Sequence, residues 1–173
     1  WLETMLGAIC DPKQWATVSA DEIADEGYPV FGANGQIGWL ESYNHEFPTI
    51  AVGCRGVCGS VHLTPPKSYI TGNAMALDDL DTKRVSVAFL FHYLSFFGFR
   101  SIVSGTAQPQ ITGKAIKGYS IRLPSLGEQE MIGGILDAAD LQIAHFRRQV
   151  EKLKSEKRAL MQQLLTGKRR VSV

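Results

Sequence analysis

The side chains best suited to molecular recognition are concentrated in segment 104–110, which consists mainly of amide, hydroxyl and small residues and precedes two lysines. Glutamine can form two hydrogen bonds to the edge of adenine, whereas hydroxyl groups and lysines bind nucleic-acid phosphates. This chemistry predicts base contacts from three side chains and phosphate contacts from two more: Thr106, Gln108, Gln110, and then Lys114 and Lys117. Polar loops are solvated in most proteins, so the segment alone favours an ordinary surface loop over a binding site.

A second polar element is Asn34-Gly35-Gln36, which lies between two short apolar runs. An Asn-Gly pair in that position is the strongest local signal for a β-hairpin, because both residues tolerate a positive φ. We expect Asn34 and Gln36 at the hairpin tip to contact bases. We expect Arg55, in the glycine-bearing turn 53–59, to position the phosphate backbone. By itself this hairpin also favours an ordinary turn.

No catalytic motif in the sequence is convincing. The glycines at 32, 35 and 38 do not make the G-x-G-x-x-G of dinucleotide-binding folds, and there is no phosphate-binding loop. Segment 64–67 lacks both the amide or acid and the aromatic residue of the adenine-methyltransferase loop. Asp81-Thr82-Lys83 matches the acid-x-Lys element of nucleases, which is common by chance and predicts magnesium-dependent cutting without partners. We expect a chain that is not an enzyme.

Three cysteines, Cys10, Cys54 and Cys58, cannot all pair within one chain. Cys54 and Cys58, with His45 and His62 near in sequence, are conceivable zinc ligands, but zinc sites usually have four ligands at tighter, repeated spacings. We expect reduced, partly buried thiols and no metal, which suits a reducing cytoplasm. The start of the chain shows no secretion signal, and no apolar run reaches the roughly 18 residues of a membrane span. We therefore expect a cytoplasmic protein.

The net charge of +1 conceals an uneven distribution. Residues 1–81 hold three Lys/Arg against eleven Asp/Glu, a net charge of −8, whereas residues 82–127 hold six basic residues and no acidic one. Residues 128–173 add nine basic and six acidic residues. A segment without acids favours contact with phosphates, because carboxylates repel them. Folding can also interleave these segments and blur the asymmetry.

The composition changes at about Leu126. Before it, short β-type runs alternate with turns rich in Gly, Pro and Asn; after it there is no proline and glycine occupies four positions. The chain is long enough for one substantial core and an appendage. We predict a mixed α+β, strand-rich recognition domain over 1–126. The predicted strands are 28–31, 36–40, 49–52, 59–63, 70–77 and 120–123, with a buried helix over 86–97 and a short exposed helix or turn at 21–26.

The sequence after Leu126 predicts a long helix over 127–165. With Ile143 at heptad position a, nine of the ten a and d positions are apolar, and only Lys157 interrupts the stripe. Such a stripe packs lengthwise on another helix. At about 1.5 Å per residue the helix is roughly 58 Å long, too long to fold back on a small domain. The predicted helix interface is Ile132, Leu136, Ala139, Ile143, Phe146, Val150, Leu153, Leu160 and Leu164.

Six segments follow one another in a recognisable order. They are the tryptophan-led start 1–7, the glycine-bearing turns 28–35 and 53–59, the Ser-Gly-Thr-Ala-Gln of 104–108, the Leu-Pro junction of 121–129 and the closing stretch 160–168. In this order they resemble a target-recognition domain and the following spacer helix of type I restriction–modification specificity subunits. The glycine turns are weak signals, whereas the junction, the helix and the closing stretch in this order are specific. Residues 166–173, after the helix, form a C-terminal tail.

The resemblance implies that the chain reads one half of a split site in double-stranded DNA. Its spacer helix would pack antiparallel on a second such helix and set the distance between the two halves. Modification subunits, which carry S-adenosylmethionine and methylate adenine, would dock on this scaffold. A restriction subunit would join for cleavage driven by ATP with magnesium. No cofactor is expected in this chain itself.

One feature departs from the pattern of the family. Whole specificity subunits carry two recognition domains and two helices, whereas this chain has one of each. It is therefore a natural half-subunit or a fragment, and the closing tail favours the C-terminal half. In both cases the exposed stripe predicts an antiparallel homodimer or pairing with a second recognition half. The alternative from another class is a protein–protein adaptor with an oligomerising helix, which the −8 charge of residues 1–81 favours.

Overall fold

The computed structural model describes residues 1–105 and 108–171 and divides the chain into two compact units, Trp1–Gly134 and Ile135–Val173. Among the described residues, three α-helices are found: α1 (Val87–Phe97), α2 (Gly113–Lys117) and α3 (Leu126–Leu165). The strands are β1 (Leu2–Met5), β2 (Asp11–Lys13), β3 (Tyr28–Gly32), β4 (Gly35–Leu40), β5 (Ile50–Gly53), β6 (Val61–Leu63), β7 (Tyr69–Ile70), β8 (Ala74–Asp78) and β9 (Ser120–Leu123). Short 3-10 helices cover Leu6–Ala8, Ala20–Glu22 and Arg100–Ile102.

Three small sheets build the first unit. One is antiparallel throughout, in the order β2-β8-β5-β6, and in a second β3 pairs antiparallel with β4 and parallel with β7. In the third, β1 pairs with β9, so that Leu2 lies opposite Leu123. Neither β1 nor β2 was predicted, because neither shows an alternating apolar pattern. The position of Pro12 agrees with its strand, since β2 is at a sheet edge where proline is tolerated.

The core of this unit consists of two apolar clusters, and β5, β8, α1, α2 and β9 all contribute to the larger one. Helix α1 confirms the predicted helix, although its burial is only partial because Phe96 near its end is 83% exposed. The Ser86 hydroxyl caps α1 by accepting a hydrogen bond from the Phe89 amide. Helix α2 was not predicted, since five residues are too few to show a period. Its start is capped in the same way by Thr112. Fully buried members of the larger cluster include Leu6, Val52, Leu90, Leu94, Ile116 and Ile121.

The predicted hairpin forms between β3 and β4, but its turn begins one residue earlier than expected. Gly32 pairs with Gly35, so the two turn residues are Ala33 and Asn34. Within residues 32–35 only Gly35 has a positive φ, of 96°, so Asn34 does not adopt that conformation. The positive-φ conformation is therefore taken by a glycine, which lacks a Cβ atom.

The strand predicted over 70–77 is two strands with a turn between them. β7 ends at Ile70, and the Ala74 amide then donates to the Thr71 carbonyl at 2.9 Å before β8 begins. The break lets β7 pair with β3 while β8 pairs with β5 and β2. Apolar composition alone could not show it, because both strands are largely buried.

Helix α3 is continuous over Leu126–Leu165 and confirms the long helix predicted from 127. Its buried residues are Gln129 and Gly133, and every described residue from 135 onward is exposed. The predicted stripe residues are accordingly exposed, from 39% for Leu136 to 63% for Leu153, except for the partly buried Ile132 in the first unit. Among the helices of the described residues, none is both long and apolar enough to cross a membrane.

Candidate nucleic-acid interface

The structure joins two of the loops that the sequence predicted to bind DNA. Gln110 forms isolated antiparallel bridges with both Arg55 and Ser104, so its backbone lies beside the glycine turn. The Ile111 amide donates to the Cys54 carbonyl at 3.1 Å. The Cys58 thiol donates to the Pro109 carbonyl at 3.0 Å. Arg55 and Gln110 are thus neighbours although 55 residues of sequence separate them.

The hairpin tip is held against the same turn by Ser60. The Ser60 hydroxyl donates to the carbonyl groups of Ala33 and Val57, which ties the tip to the beginning of β6. His62 lies beneath the tip, with its Nε2 atom 3.4 Å from the Ala33 carbonyl oxygen. Hairpin tip 33–36, the glycine turn with Ser60 (53–60) and the described residues 104, 105 and 108–110 therefore form one surface, which we name the loop edge. Its sequence contains no acidic residue.

Asn34, Gln36, Arg55, Gln108 and Gln110 all have exposed side chains on the loop edge. Their amide and guanidinium groups are therefore available to a partner, as base or phosphate contacts require. Thr106, the remaining base contact predicted there, lies outside the described residues. The assignment of these residues to DNA stays a prediction.

The two predicted phosphate-binding lysines lie on α2, which begins three residues after Gln110. Lys114 is exposed. Lys117 is half exposed, and its ammonium nitrogen lies 2.7 Å from a carboxylate oxygen of Asp11 in β2. Because the Asp11 carboxylate partly neutralises the Lys117 ammonium group, Lys114 is the better candidate for a phosphate contact.

Below the loop edge, hydrogen bonds from neighbouring segments fix the glycine turn. Gln14 donates one hydrogen bond to the Cys54 sulfur and one to the Gly72 carbonyl, at 3.1 and 2.8 Å. The backbone amides of Cys54 and Arg55 both donate to the Asn73 carbonyl. Burial raises the pKa of the Cys54 and Cys58 thiols, so both are neutral at physiological pH. The hydrogen bonds from Gln14 and to Asn73 therefore fix the conformation of the glycine turn.

The residues considered for a zinc site are otherwise engaged. His45 bonds Asn44 and Asp78 through its two ring nitrogens, at 2.6 and 2.9 Å. The cysteines are free thiols, and in residues 1–105 and 108–171 no three His, Cys, Asp or Glu side chains are grouped to hold a metal ion. In the acid-x-Lys tripeptide, the Asp81 carboxylate accepts from the Lys83 amide at 3.2 Å and shapes a local turn.

Ser60, His62 and Asn73 are loop-edge or neighbouring residues that sequence reasoning missed. Asn73 is exposed, and its carbonyl holds the glycine turn, whereas Ser60 and His62 support the hairpin tip. A signal was present, since Ser60 directly follows the last glycine of the predicted turn. The hydrogen bond across to Ala33, 27 residues away, has no signature in sequence.

The fold and the loop edge define a small mixed α+β domain that presents polar loops and continues into one long helix. A family model described as "Type I restriction modification DNA specificity domain" matches residues 1–155. The chain belongs to this family. Membership confirms the resemblance that the ordered sequence motifs indicated.

The relatives agree with this assignment. The specificity subunit of the Escherichia coli type I restriction enzyme EcoprrI is 26% identical over 141 residues, covering 78% of this chain and 35% of that protein. The type I S subunit structure from M. genitalium has a TM-score of 0.79 at 21% identity, covering 94% of this chain and 45% of that one. The HsdS subunit structure from Thermoanaerobacter tengcongensis has a TM-score of 0.61 at 23% identity, covering 94% and 44%. These structures confirm the mixed α+β fold with a long C-terminal helix.

The chain spans about a third of the length of this curated relative and less than half of the solved chains.

Proposed function

We propose that the chain recognises one half of a bipartite site in double-stranded DNA and performs no chemistry on it. The observation that carries this proposal is the loop edge, where three separately predicted polar loops come together on a surface without acidic residues. Exposed amides suit base edges, and Arg55 with Lys114 suits phosphates. The family to which the chain belongs is described by DNA specificity, and its relative is named a specificity subunit.

In this proposal, catalysis and cofactors belong to other polypeptides. Modification subunits would dock on the chain and supply S-adenosylmethionine, and a restriction subunit would use ATP and magnesium. The chain would determine where on the DNA these partners act.

The stripe of α3 would pack on a second α3 helix, in a homodimer or in a pair with a second recognition half. Residues 126–145 contain four acidic residues and no Lys or Arg, whereas residues 146–165 contain six Lys/Arg and two acidic residues. An antiparallel pair places the acidic half of each helix beside the basic half of the other. A parallel pair places like charges together. The charge pattern therefore supports antiparallel packing.

A binding experiment with two substitutions tests the DNA proposal. Duplexes selected from a random pool define the preferred sequence, and affinity is then measured as a function of salt, with modification subunits added. Gln108→Ala should relax the preference at one position and cost about 1–3 kcal/mol on the preferred duplex. Lys114→Ala should weaken binding to all duplexes alike and reduce the slope of the salt dependence by about one.

Matched controls are Gln162→Ala and Lys67→Ala, an exposed amide and an exposed lysine outside the loop edge. The loop edge is the wrong surface if Gln108→Ala and Lys114→Ala behave like these controls.

The adaptor alternative retains one supporting observation, the net charge of −8 on residues 1–81. An adaptor would bind a polypeptide and show no preference among duplexes. The same selection experiment distinguishes the two functions, since an adaptor enriches no sequence.

A further inference from the structure

A groove of about 920 Å³ opens on the recognition domain between β2, the 44–50 segment, the end of β8 and the start of α1. Its walls include Trp15, Phe47, Leu63, Leu77, Leu80 and Val87. Phe47 is 77% exposed although it is a large apolar residue. A concave apolar surface with an exposed aromatic side chain is typical of a site that another molecule covers.

The rim of the groove is acidic. Four carboxylates line it, those of Asp11, Glu46, Asp78 and Asp79, against the single ammonium group of Lys13. Asp11 is paired with Lys117, and Asp78 accepts hydrogen bonds from His45 and Trp15. Within the described part of the chain, Glu46 and Asp79 have no ion-pair partner. The complementary ligand carries cationic groups beside an apolar one.

The chain itself contains such a segment after α3. Lys168, Arg169 and Arg170 are consecutive and exposed, and Val171, which follows them, is 75% exposed. From Lys157 onward the sequence has no acidic residue, so nothing in the segment neutralises this charge. Three adjacent cations with an apolar neighbour match the acidic rim and apolar walls of the groove.

The groove borders the beginning of α3. Ala88, one of its lining residues, packs on Gly133, where an added Cβ atom would lie only 2.9 Å from the Ala88 Cβ atom. In an antiparallel pair of helices, the residues after Leu165 in one copy lie beside the first turns of α3 in the other. Antiparallel pairing thus brings the basic segment of one copy near the first turns of the partner's α3, which the groove borders.

We propose that the Lys168–Val171 segment of a second copy of this chain docks in the acidic groove. This inference rests on the antiparallel pairing proposed above. The two docked segments of a symmetric dimer would add contacts at both ends of the paired helices, outside the stripe itself. They would also make the assembly sensitive to salt, because surface charge pairs are screened.

A labelled peptide with the sequence of residues 166–173 tests the docking in trans. It is titrated by fluorescence anisotropy against the full chain carrying K168E, R169E and R170E, whose own segment cannot compete for the groove. We expect saturable binding that weakens with salt and falls at least about tenfold when Glu46→Lys and Asp79→Lys are added. The matched control adds Asp25→Lys and Glu26→Lys instead, which are exposed acids outside the groove and should leave binding unchanged.

Two results would overturn the inference: no peptide binding at millimolar concentration, or equal losses in the groove variant and its control. Light scattering on the unmodified chain separates this failure from that of the pairing. A dimer without peptide binding leaves antiparallel pairing intact and removes only the docking. A monomer at every concentration removes both, since no second copy would then supply the segment.

Discussion

Gln129 is 1% exposed at the beginning of α3, and its amide group makes three hydrogen bonds. Its oxygen accepts from the Ser86 amide, and its nitrogen donates to the carbonyls of Arg84 and Pro124, each at 3.0 Å. A single side chain thereby fixes the start of α3 to the start of α1. Within the first unit, this buried amide therefore connects the beginning of α1 to the beginning of α3.

Replacing Gln129 by methionine tests this role, because methionine keeps the volume and removes all three hydrogen bonds. Leaving one buried amide and two buried carbonyls unpaired should lower the free energy of unfolding by about 2–4 kcal/mol. Urea unfolding followed by circular dichroism measures the change. Gln162→Met, at an exposed position of the same helix, should change it by less than about 0.5 kcal/mol. Equal effects of the two substitutions would contradict the role.

The sequence pointed to Gln129 only through the Leu-Pro junction motif. Its structural role could not be predicted, because Arg84 and Ser86 are more than 40 residues away in sequence. For the candidate base contacts, the local setting could be predicted but the tertiary contacts could not. Their exposure and loop setting were predictable from polarity and glycine content, but the bridge between Arg55 and Gln110 was not.

Cys10 should lower the free energy of unfolding at alkaline pH. Burial, followed by the nearby carboxylates of Asp11 and Asp78, raises the pKa of this thiol from 9.0 to about 12. Between these two values the unfolded chain has lost the proton that the native chain retains, so stability falls as pH rises. At about pH 10.5 the free energy of unfolding should be about 2 kcal/mol lower than at pH 8 from this group alone.

The contribution of Cys10 is measured as a difference between two chains. The free energy of unfolding in urea is determined for the unmodified chain and for Cys10→Ala, each at both pH values. Tyrosines and lysines that titrate in the same range are present in both chains, so their effects cancel in the difference. The alanine chain should lose less stability on the alkaline side. Identical pH dependences would show that the thiol does not couple to folding.

Among the elements, the predictable ones are those with a local period or a distinctive turn. The α1 and α3 helices and the β3–β4 hairpin were predicted from apolar spacing and from an Asn-Gly pair. β1 and β2 were missed because their stability comes from partners distant in sequence, β9 and β8. The short helix α2 was missed because its five residues are stabilised by packing on β2 and by the Thr112 cap rather than by a pattern.

The exposed stripe of α3 predicts a change of oligomeric state. Val150 and Leu153 are 47% and 63% exposed, which for a stripe of this length favours burial against another helix. Changing both to glutamate should convert the dimer into a folded monomer, because charges would be buried in the seam. Light scattering gives the mass, and circular dichroism shows that the chain remains folded.

The matched control changes Ala144 and His145 to glutamate, which adds the same charge on the opposite face of the helix. This chain should remain a dimer. If the control also becomes monomeric, net charge rather than the stripe governs association. If the unmodified chain is already monomeric, the stripe has another partner, such as a second recognition half or a modification subunit.

At the scale of the whole molecule, two surfaces differ in their charge. The loop edge has no acidic residue, whereas the groove lined by Glu46 and Asp79 has a net negative rim. The −8 charge of residues 1–81 therefore does not argue against DNA binding, since the loop edge draws on acid-free segments of the chain. Charge counts along the sequence could not show this, because the domain combines strands from both ends of residues 1–126.

Symmetry makes a prediction about the DNA target. Two identical chains related by a two-fold axis through the paired α3 helices present two identical loop edges in opposite orientations. The DNA that such a dimer prefers should therefore be an inverted repeat of one half-site, separated by a spacer of fixed length. Selection from random duplexes, with modification subunits present, measures this directly. An asymmetric consensus would mean that a different second half completes the recognition unit, so the α3 stripe would pair with a helix of another sequence.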